Sequence, residues 1–283
     1  MTQIAESWGE ASSNSADAQD LADCLARQLH ETVSAMVSPG PYAVLDYPAY
    51  ANVGDNAIWL GQMRMLRSVH SCEPVYIERY DRRDFNKLDA MLPVGPIYIQ
   101  GGGNFGDLWP RMQARRIEAM QRYGERIIQL PQSLCFRSNR SFNEARSLAS
   151  TGARLLVRDR PSLALAKELG FPATLAPDAA FCLGARPRPI DANQDLLVLR
   201  RTDHEGKDQG VPGVDWKKEP LGMRTLHRLL QMTASDDREC HARYDRIAKA
   251  RLDWGCHILA LGERVATDRL HAHVLSFLHG IPH

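Results

Sequence analysis

From Tyr42 to Leu169, short apolar runs alternate with longer stretches of helical periodicity, and this alternation constrains the chain more than any single motif. The runs are Tyr42–Tyr47, Pro74–Glu78, Pro96–Gln100, Arg126–Leu130 and Arg154–Arg158. Helices are expected over Asp55–Val69, Arg82–Met91, Pro110–Tyr123, Asn143–Thr151 and Pro161–Leu169. Strand and helix in strict succession predict an α/β fold, a mostly parallel sheet covered on both faces. Residues 1–40 read as a polar tail followed by a helix over Ala18–Val37, and residues 41–183 as a first Rossmann-like domain. The Pro- and Gly-containing stretch 184–194 reads as a linker. Residues 195–283 then form a second unit. It opens on the run Asp195–Arg200 and continues through a polar loop over 203–220. Helices are expected near Leu221–Ala234 and Asp237–Ala260, then a strand at Arg264–Thr267 and a helix from Asp268 or Arg269. Gly280-Ile281-Pro282-His283 resembles the lead-in to another strand, so the second domain is expected to be incomplete.

Composition excludes several classes. A formal net charge of +1 argues against a dedicated nucleic-acid binder, which ordinarily carries a basic excess. Cysteines at 24, 72, 135, 182, 240 and 256 form no CxxC pair, so neither zinc nor dithiol redox chemistry is indicated, and scattered thiols suit a reducing compartment. No apolar run approaches the roughly 18 residues of a membrane span. The first twenty residues are polar and acidic, unlike a secretory signal. The expected location is the cytoplasm. GxSxG and HExxH are both missing, which removes support for serine hydrolase and zincin readings.

Five motifs follow strands, where a parallel sheet gathers its ligand-binding loops. Asn52-Val53-Gly54-Asp55-Asn56-Ala57 opens a helix; Asp55 reads equally as a ligand-facing carboxylate and as a helix N-cap. Gly101-Gly102-Gly103-Asn104-Phe105-Gly106-Asp107 spends three glycines in a row, costly in chain entropy, and reads as a ligand-facing loop in preference to a tight turn. It is neither a dinucleotide fingerprint nor a P-loop. Leu130-Pro131-Gln132-Ser133 reads as a turn whose Gln132 and Ser133 suit a sugar hydroxyl or simply face solvent. Arg158 ends an apolar strand; it either reaches into the crevice towards a carboxylate or phosphate, or pairs with Asp159 on the surface, or Asp159 serves to cap the next helix. Thr267-Asp268-Arg269-Leu270-His271-Ala272-His273 places Arg269 and His271 at a helix N-terminus, where a cation is unfavourable unless an anion joins it. The imidazole of His271 is of a type that can donate or accept a proton. His271 and His273, two apart on a helix, diverge, so no metal site is expected.

In this order the motifs, together with Pro177-Asp178-Ala179-Ala180-Phe181, resemble the polysaccharide pyruvyltransferase family from about Tyr42 to His283. The resemblance implies a GT-B-like fold of two Rossmann-like domains facing a cleft, with the acceptor on the first and the donor on the second. It implies phosphoenolpyruvate as donor substrate, no cofactor and no essential metal. The acceptor is a pair of sugar hydroxyls, turned into a pyruvate ketal on an exopolysaccharide, capsule or cell-wall glycan. A lipid-linked oligosaccharide acceptor follows by the same resemblance, and with it peripheral contact at the inner membrane face. Arg158, Arg269, the Leu270 backbone and His271 match the donor-holding positions, with His271, Arg269 and Asp55 as the catalytic set. Asn52, Asp55, Gly102, Gly103, Asn104, Gln132 and Ser133 would meet the acceptor. His271 is assigned as general acid or as an aid to phosphate departure, and Asp55 as general base or as a stabiliser of developing cation; the two roles are interchangeable at this level. Two other readings stay open: a nucleotide-sugar glycosyltransferase on the same fold, and a non-catalytic sugar-binding or assembly partner.

Overall fold

The computed structural model describes residues 15–82, 84–202, 206, 212–216, 219–222, 225 and 237–283. Most of the helix expected over Leu221–Ala234 and most of the polar loop before it lie outside these residues. Helix α1 (Ser15–Ser34) precedes the main sheet, whose strands are β1 (Ala43–Tyr47), β2 (Tyr76–Arg79), β3 (Ile97–Ile99), β4 (Gly102–Gly106), β5 (Ile127–Cys135), β6 (Arg154–Val157) and β7 (Ala173–Leu175). Between them run α2 (Val53–His70), α3 (Phe85–Met91), α4 (Pro110–Tyr123), α5 (Asn139–Ser147) and α6 (Arg160–Leu169). All strand pairs are parallel, in the order β2-β1-β3-β5-β6-β7 with β4 also on β5. The fold is α/β and GT-B-like, as expected.

The sequence pattern divides cleanly between the two faces of this sheet. Val44, Tyr98, Ile128, Leu130 and Leu156 point into one core with α1 and α2. Ala43, Leu45, Ile97, Ile99, Ile127, Leu155 and Val157 point into the other, built with residues of α3 to α6. Strand side chains alternate between faces. A run that is apolar throughout is therefore what two covered faces require.

The structure corrects two expectations about loops. Gly102–Gly106 is a strand, and Leu130–Ser133 lies inside β5 and is no turn. Ile99 pairs with Gln129 and Gly102 with Gln132, so β3 and β4 are one strand broken at Gln100 and Gly101. Pro131 has no N–H to give a ladder, and a proline within a sheet belongs at such an irregularity. The register towards β6 also shifts between Gln129 and Gln132. The buried Gln129 side chain fills the gap, donating to the carbonyls of Ile99 and Gln100 at 3.2 and 2.9 Å. Gly106 takes φ +126° with the Cys135 carbonyl so close that no Cβ fits, which explains the fourth glycine of the motif.

A second parallel sheet joins β8 (Gln194–Leu199) to β9 (Gly262–Thr267). Between them lies α7 (Asp237–Ala260), and after β9 comes α8 (Leu270–Leu278). Helix α2 serves both sheets. One side of it covers the first sheet; another meets α7, α8 and the 3-10 turn Ala179–Leu183 in one continuous core. Polar ties fasten the same junction: Trp59 Nε1 donates to Asp245 Oδ1 at 2.9 Å, and the Tyr47 hydroxyl donates to the Tyr244 carbonyl at 3.1 Å. Among the described residues, no helix is long and apolar enough to cross a membrane.

Candidate active site

The strand order places β1 beside both β2 and β3, so the chain leaves β1 and β3 towards different neighbours. Ligands of open α/β sheets bind at such a point, outside the carboxyl ends of the strands. A cleft of about 750 Å³ opens there. Its walls come from strand exits and helix starts: Tyr50 to Asn52 with Gly54 and Asp55 after β1, Tyr80 after β2, Gly103 and Asn104 in β4, and Trp109 to Met112 at the start of α4. Arg158 follows β6, Arg201 follows β8, and Arg269 to His271 join β9 to α8; Trp216 completes the wall. Both sheets therefore contribute. Among the described residues, four arginines and one carboxylate line the space, a balance that suits an anion.

At the first-sheet side, Asn52 is the N-cap of α2, its side chain accepting from Gly54 N–H at 3.1 Å. Its Nδ2 donates to Asp55 Oδ2 at 2.7 Å. Asp55 is thus not the cap; it sits in the first turn, where the helix dipole favours a carboxylate. Burial, and then the neighbouring Asp55 carboxylate, push the Tyr50 hydroxyl well above the usual phenol value.

Arg158 and His271 meet on Asp178. Arg158 Nη1 donates to Asp178 Oδ2 at 2.6 Å, and His271 Nε2 lies 3.3 Å from the same oxygen. Ala180 N–H donates to the other oxygen, Oδ1, at 2.8 Å. Burial alone would raise the Asp178 carboxyl; the charges of His271 and Arg158 and the amide bond outweigh it and hold it well below the usual carboxylate range. Arg158 Nε donates to Ser133 Oγ at 2.9 Å, and Ser133 donates to Asp159 at 2.6 Å. Asp159 in turn caps α6 through Ser162 N–H. Of the two readings of Arg158, neither holds alone: it reaches the cleft, and its carboxylate partner is Asp178, with Asp159 one hydroxyl away. The remaining nitrogen, Nη2, faces Gly103, 3.3 Å from where a Cβ would stand.

Arg269 is buried and paired. Its Nη2 donates to Asp215 at 2.7 and 2.9 Å, and Asp215 also accepts from the Thr202 amide and hydroxyl. The anion expected beside this helix-start cation is thus a residue of the chain itself. The guanidinium carbon lies 5.8 Å from the Trp216 ring centre. Helix α8 has no side-chain cap, and its first two residues, Leu270 and His271, whose amides have no partner within the helix, line the cleft.

Eight of the expected site residues line this one cleft: Asn52, Asp55, Gly103, Asn104, Arg158, Arg269, Leu270 and His271. Gly102, Gln132 and Ser133 do not, because they belong to paired strands behind the wall. Gln132 is fully buried and its Nε2 donates to Asn104 Oδ1 at 3.0 Å. Sequence reasoning missed Asp178, Asp215 and Trp216, and the aromatic wall of Tyr50, Tyr80 and Trp109. Tyr50, Tyr80 and Arg201 stand shortly after strands, a position that could have flagged them. Among the described residues, no cluster of His, Cys, Asp and Glu could hold a metal ion.

Residues 52–283 match the family described as polysaccharide pyruvyl transferase. Pyruvyl transferase 1 of Schizosaccharomyces pombe is 30% identical over 260 residues, covering 85% of this chain. The match spans 64% of that protein's length. EpsO of Bacillus subtilis, whose pyruvyl transferase name is itself provisional, is 28% identical over 82% of this chain and 77% of its own. A crystal structure of an uncharacterised Klebsiella pneumoniae protein aligns with a TM-score of 0.55 at 14% identity, covering 89% of this chain and 85% of that one; the likeness is one of fold.

Proposed function

The chain belongs to the polysaccharide pyruvyl transferase family, and from that premise we propose that it moves the enolpyruvyl group of phosphoenolpyruvate onto two hydroxyls of a sugar, forming a pyruvate ketal. The acceptor is a glycan of exopolysaccharide, capsule or cell-wall type, carried on a lipid, with the protein working from the cytoplasm at the membrane face. The observation that carries this reading is the convergence of Arg158, His271 and the uncapped start of α8 in one cleft. A donor with a phosphate and a carboxylate needs such a set: a planar guanidinium fork, two backbone N–H groups at a helix N-terminus, and a proton carrier.

The donor sits on the second-sheet side, against Leu270 and His271, and the acceptor on the first-sheet side, near Asn52, Asp55 and Asn104. His271 gives a proton to the methylene carbon of the enol, whose π electrons form the new C–H bond and leave cationic character at the adjacent carbon. One sugar hydroxyl adds there and loses its proton to Asp55. Phosphate then leaves with the electrons of its C–O bond and takes up the proton held by Asp55, and the second hydroxyl adds and returns its proton to His271. Asp55 is the acceptor-side base and also faces the positive charge as it develops. No cofactor or metal enters this scheme.

The test is a reaction of the purified protein with phosphoenolpyruvate and candidate glycans. We expect inorganic phosphate release that depends on the glycan, and a ketal-bearing product by mass spectrometry. Release of nucleoside diphosphate from a nucleotide sugar, with phosphoenolpyruvate untouched, would replace this reading by a glycosyl transfer on the same fold.

A further inference from the structure

Asp178 touches Arg158 and His271, two of the residues that line the cleft, yet it does not itself line the cleft. It is buried, stands in the loop after β7, and links Arg158 of the first sheet to His271 of α8. One oxygen serves both partners and the other is taken by the Ala180 amide. A carboxylate with these partners can only accept. The imidazole nitrogen facing it must therefore donate, which fixes Nε2 as the protonated nitrogen.

The other ring nitrogen has a different setting. Nδ1 lies against Gly54, where a Cβ would come within 2.8 Å of it. It makes no hydrogen bond to a described residue, and His271 lines the cleft.

We propose that Asp178 is a positioning residue that holds His271 in the Nε2–H form, so that Nδ1 is the atom that exchanges a proton with the bound donor. The chemical content rests on the reading of His271 as the acid in the scheme above. The imidazolium releases its Nδ1 proton to the methylene carbon of the donor, and the Nδ1–H bonding pair stays on nitrogen as a lone pair. The ring is left as the neutral Nε2–H form, which Asp178 still holds. A proton released from a sugar hydroxyl later restores Nδ1–H. Protons balance without any further reagent. The same carboxylate keeps Arg158 in place, so donor binding and proton delivery share one anchor.

The first test needs no activity. In ¹⁵N-histidine-labelled wild type, long-range ¹H–¹⁵N correlation spectra at high pH report the tautomer of each neutral histidine, and the spectrum of His271→Gln identifies the His271 signals among the ten histidines. We expect the Nε2–H form in the wild type, and a gain of the Nδ1–H form in Asp178→Asn. A wild-type His271 protonated at Nδ1 overturns the proposal, whether or not the Asn variant folds.

The second test is kinetic. Asp178→Asn should lower kcat about 10²-fold or more, in the range of a lost general acid. KM for phosphoenolpyruvate should rise as well, because Arg158 loses its anchor, so the fall is read in kcat at saturating phosphoenolpyruvate. A normal kcat in a folded variant overturns the proposal. If the wild type shows the Nε2–H form but never consumes phosphoenolpyruvate, the tautomer assignment stands and the transferase reading falls.

Discussion

The methyl group that Gly54 lacks would lie 2.8 Å from Nδ1 of His271 and 2.9 Å from its Cβ and Cγ. Gly54 is in the first turn of α2 and His271 in the first turn of α8, so two helix starts from opposite ends of the chain close on each other. The contact involves the root of the ring as well as its edge, so the ring cannot simply swing aside. Gly54→Ala should fold, since alanine gains helix propensity by up to about 1 kcal/mol while the overpacking costs about 1–3 kcal/mol. Its phosphate release should fall about 10²-fold, the usual consequence of displacing a reacting group by about 1 Å. A melting curve alongside the assay separates the two effects.

Arg269 and Asp215 form a buried pair, with side chains 4% and 0% exposed. Arg269→Ala would leave a buried carboxylate without its main partner and should cost about 3–5 kcal/mol by denaturant titration. Changing both, Arg269→Met with Asp215→Leu, should recover much of that stability while leaving the protein inactive. The ordering of the two variants is the prediction; equal stability of the single and double changes contradicts it.

Asp159 is held below its ordinary value. Burial works against this, and the bonds from Ser133 and Ser162 and the charge of Arg158 prevail. A carboxyl whose folded value is depressed contributes stability above its unfolded value, near pH 4, and loses that contribution as pH falls through the folded one. Asp178 acts in the same direction. Asp159→Asn should therefore be less stable than wild type at neutral pH, by about 1 kcal/mol if the amide still caps α6. The difference should shrink below pH 4, as urea midpoints measured between pH 7 and pH 3 would show.

Burial pushes the thiols of Cys182 and Cys256 up to about 12. The thiolate is the reactive form. Brief alkylation of the native protein at pH 8 should modify the exposed Cys24 and spare these two, and alkylation in denaturant should reach all three. Peptide mass spectrometry gives the answer directly.

Much of the first sheet was legible because both faces are covered and the period-two signal is replaced by continuous apolar runs. Helix α4 and α7 match their expected bounds, and the other helices on that sheet shift by a few residues at their ends. The misreadings have one cause. Three glycines and a proline look like turn chemistry, yet Gly102–Gly106 and Pro131 lie in adjacent strands, where small residues admit close backbone approach and the proline falls at a register break. The cleft residues at strand exits were legible by position. Asp178 stood in one of the motifs that carry the resemblance but without a role, and Asp215 stood in none, because a carboxylate that anchors an arginine from another part of the chain does not announce its partner locally. Pairing of Arg158 with Asp178, twenty positions on, and of Arg269 with Asp215, fifty-four back, emerges only from tertiary packing.

Helix α2 presses Gly61 against the Ala179 carbonyl on one side and Val53 against Gly255 of α7 on another, with no room for a single added carbon at either contact. A hinge needs a seam that can part, and here the would-be seam is filled by a shared helix. Swinging the β8–β9 sheet away from the first would uncover Val53, Ala57, Trp59, Leu252, Cys256 and Leu275 together. A clamshell opening would have to bare that whole apolar seam at once, at about 1.5–3 kcal/mol for each large side chain, so a ligand is expected to enter by the mouth of the cleft with both sheets in place.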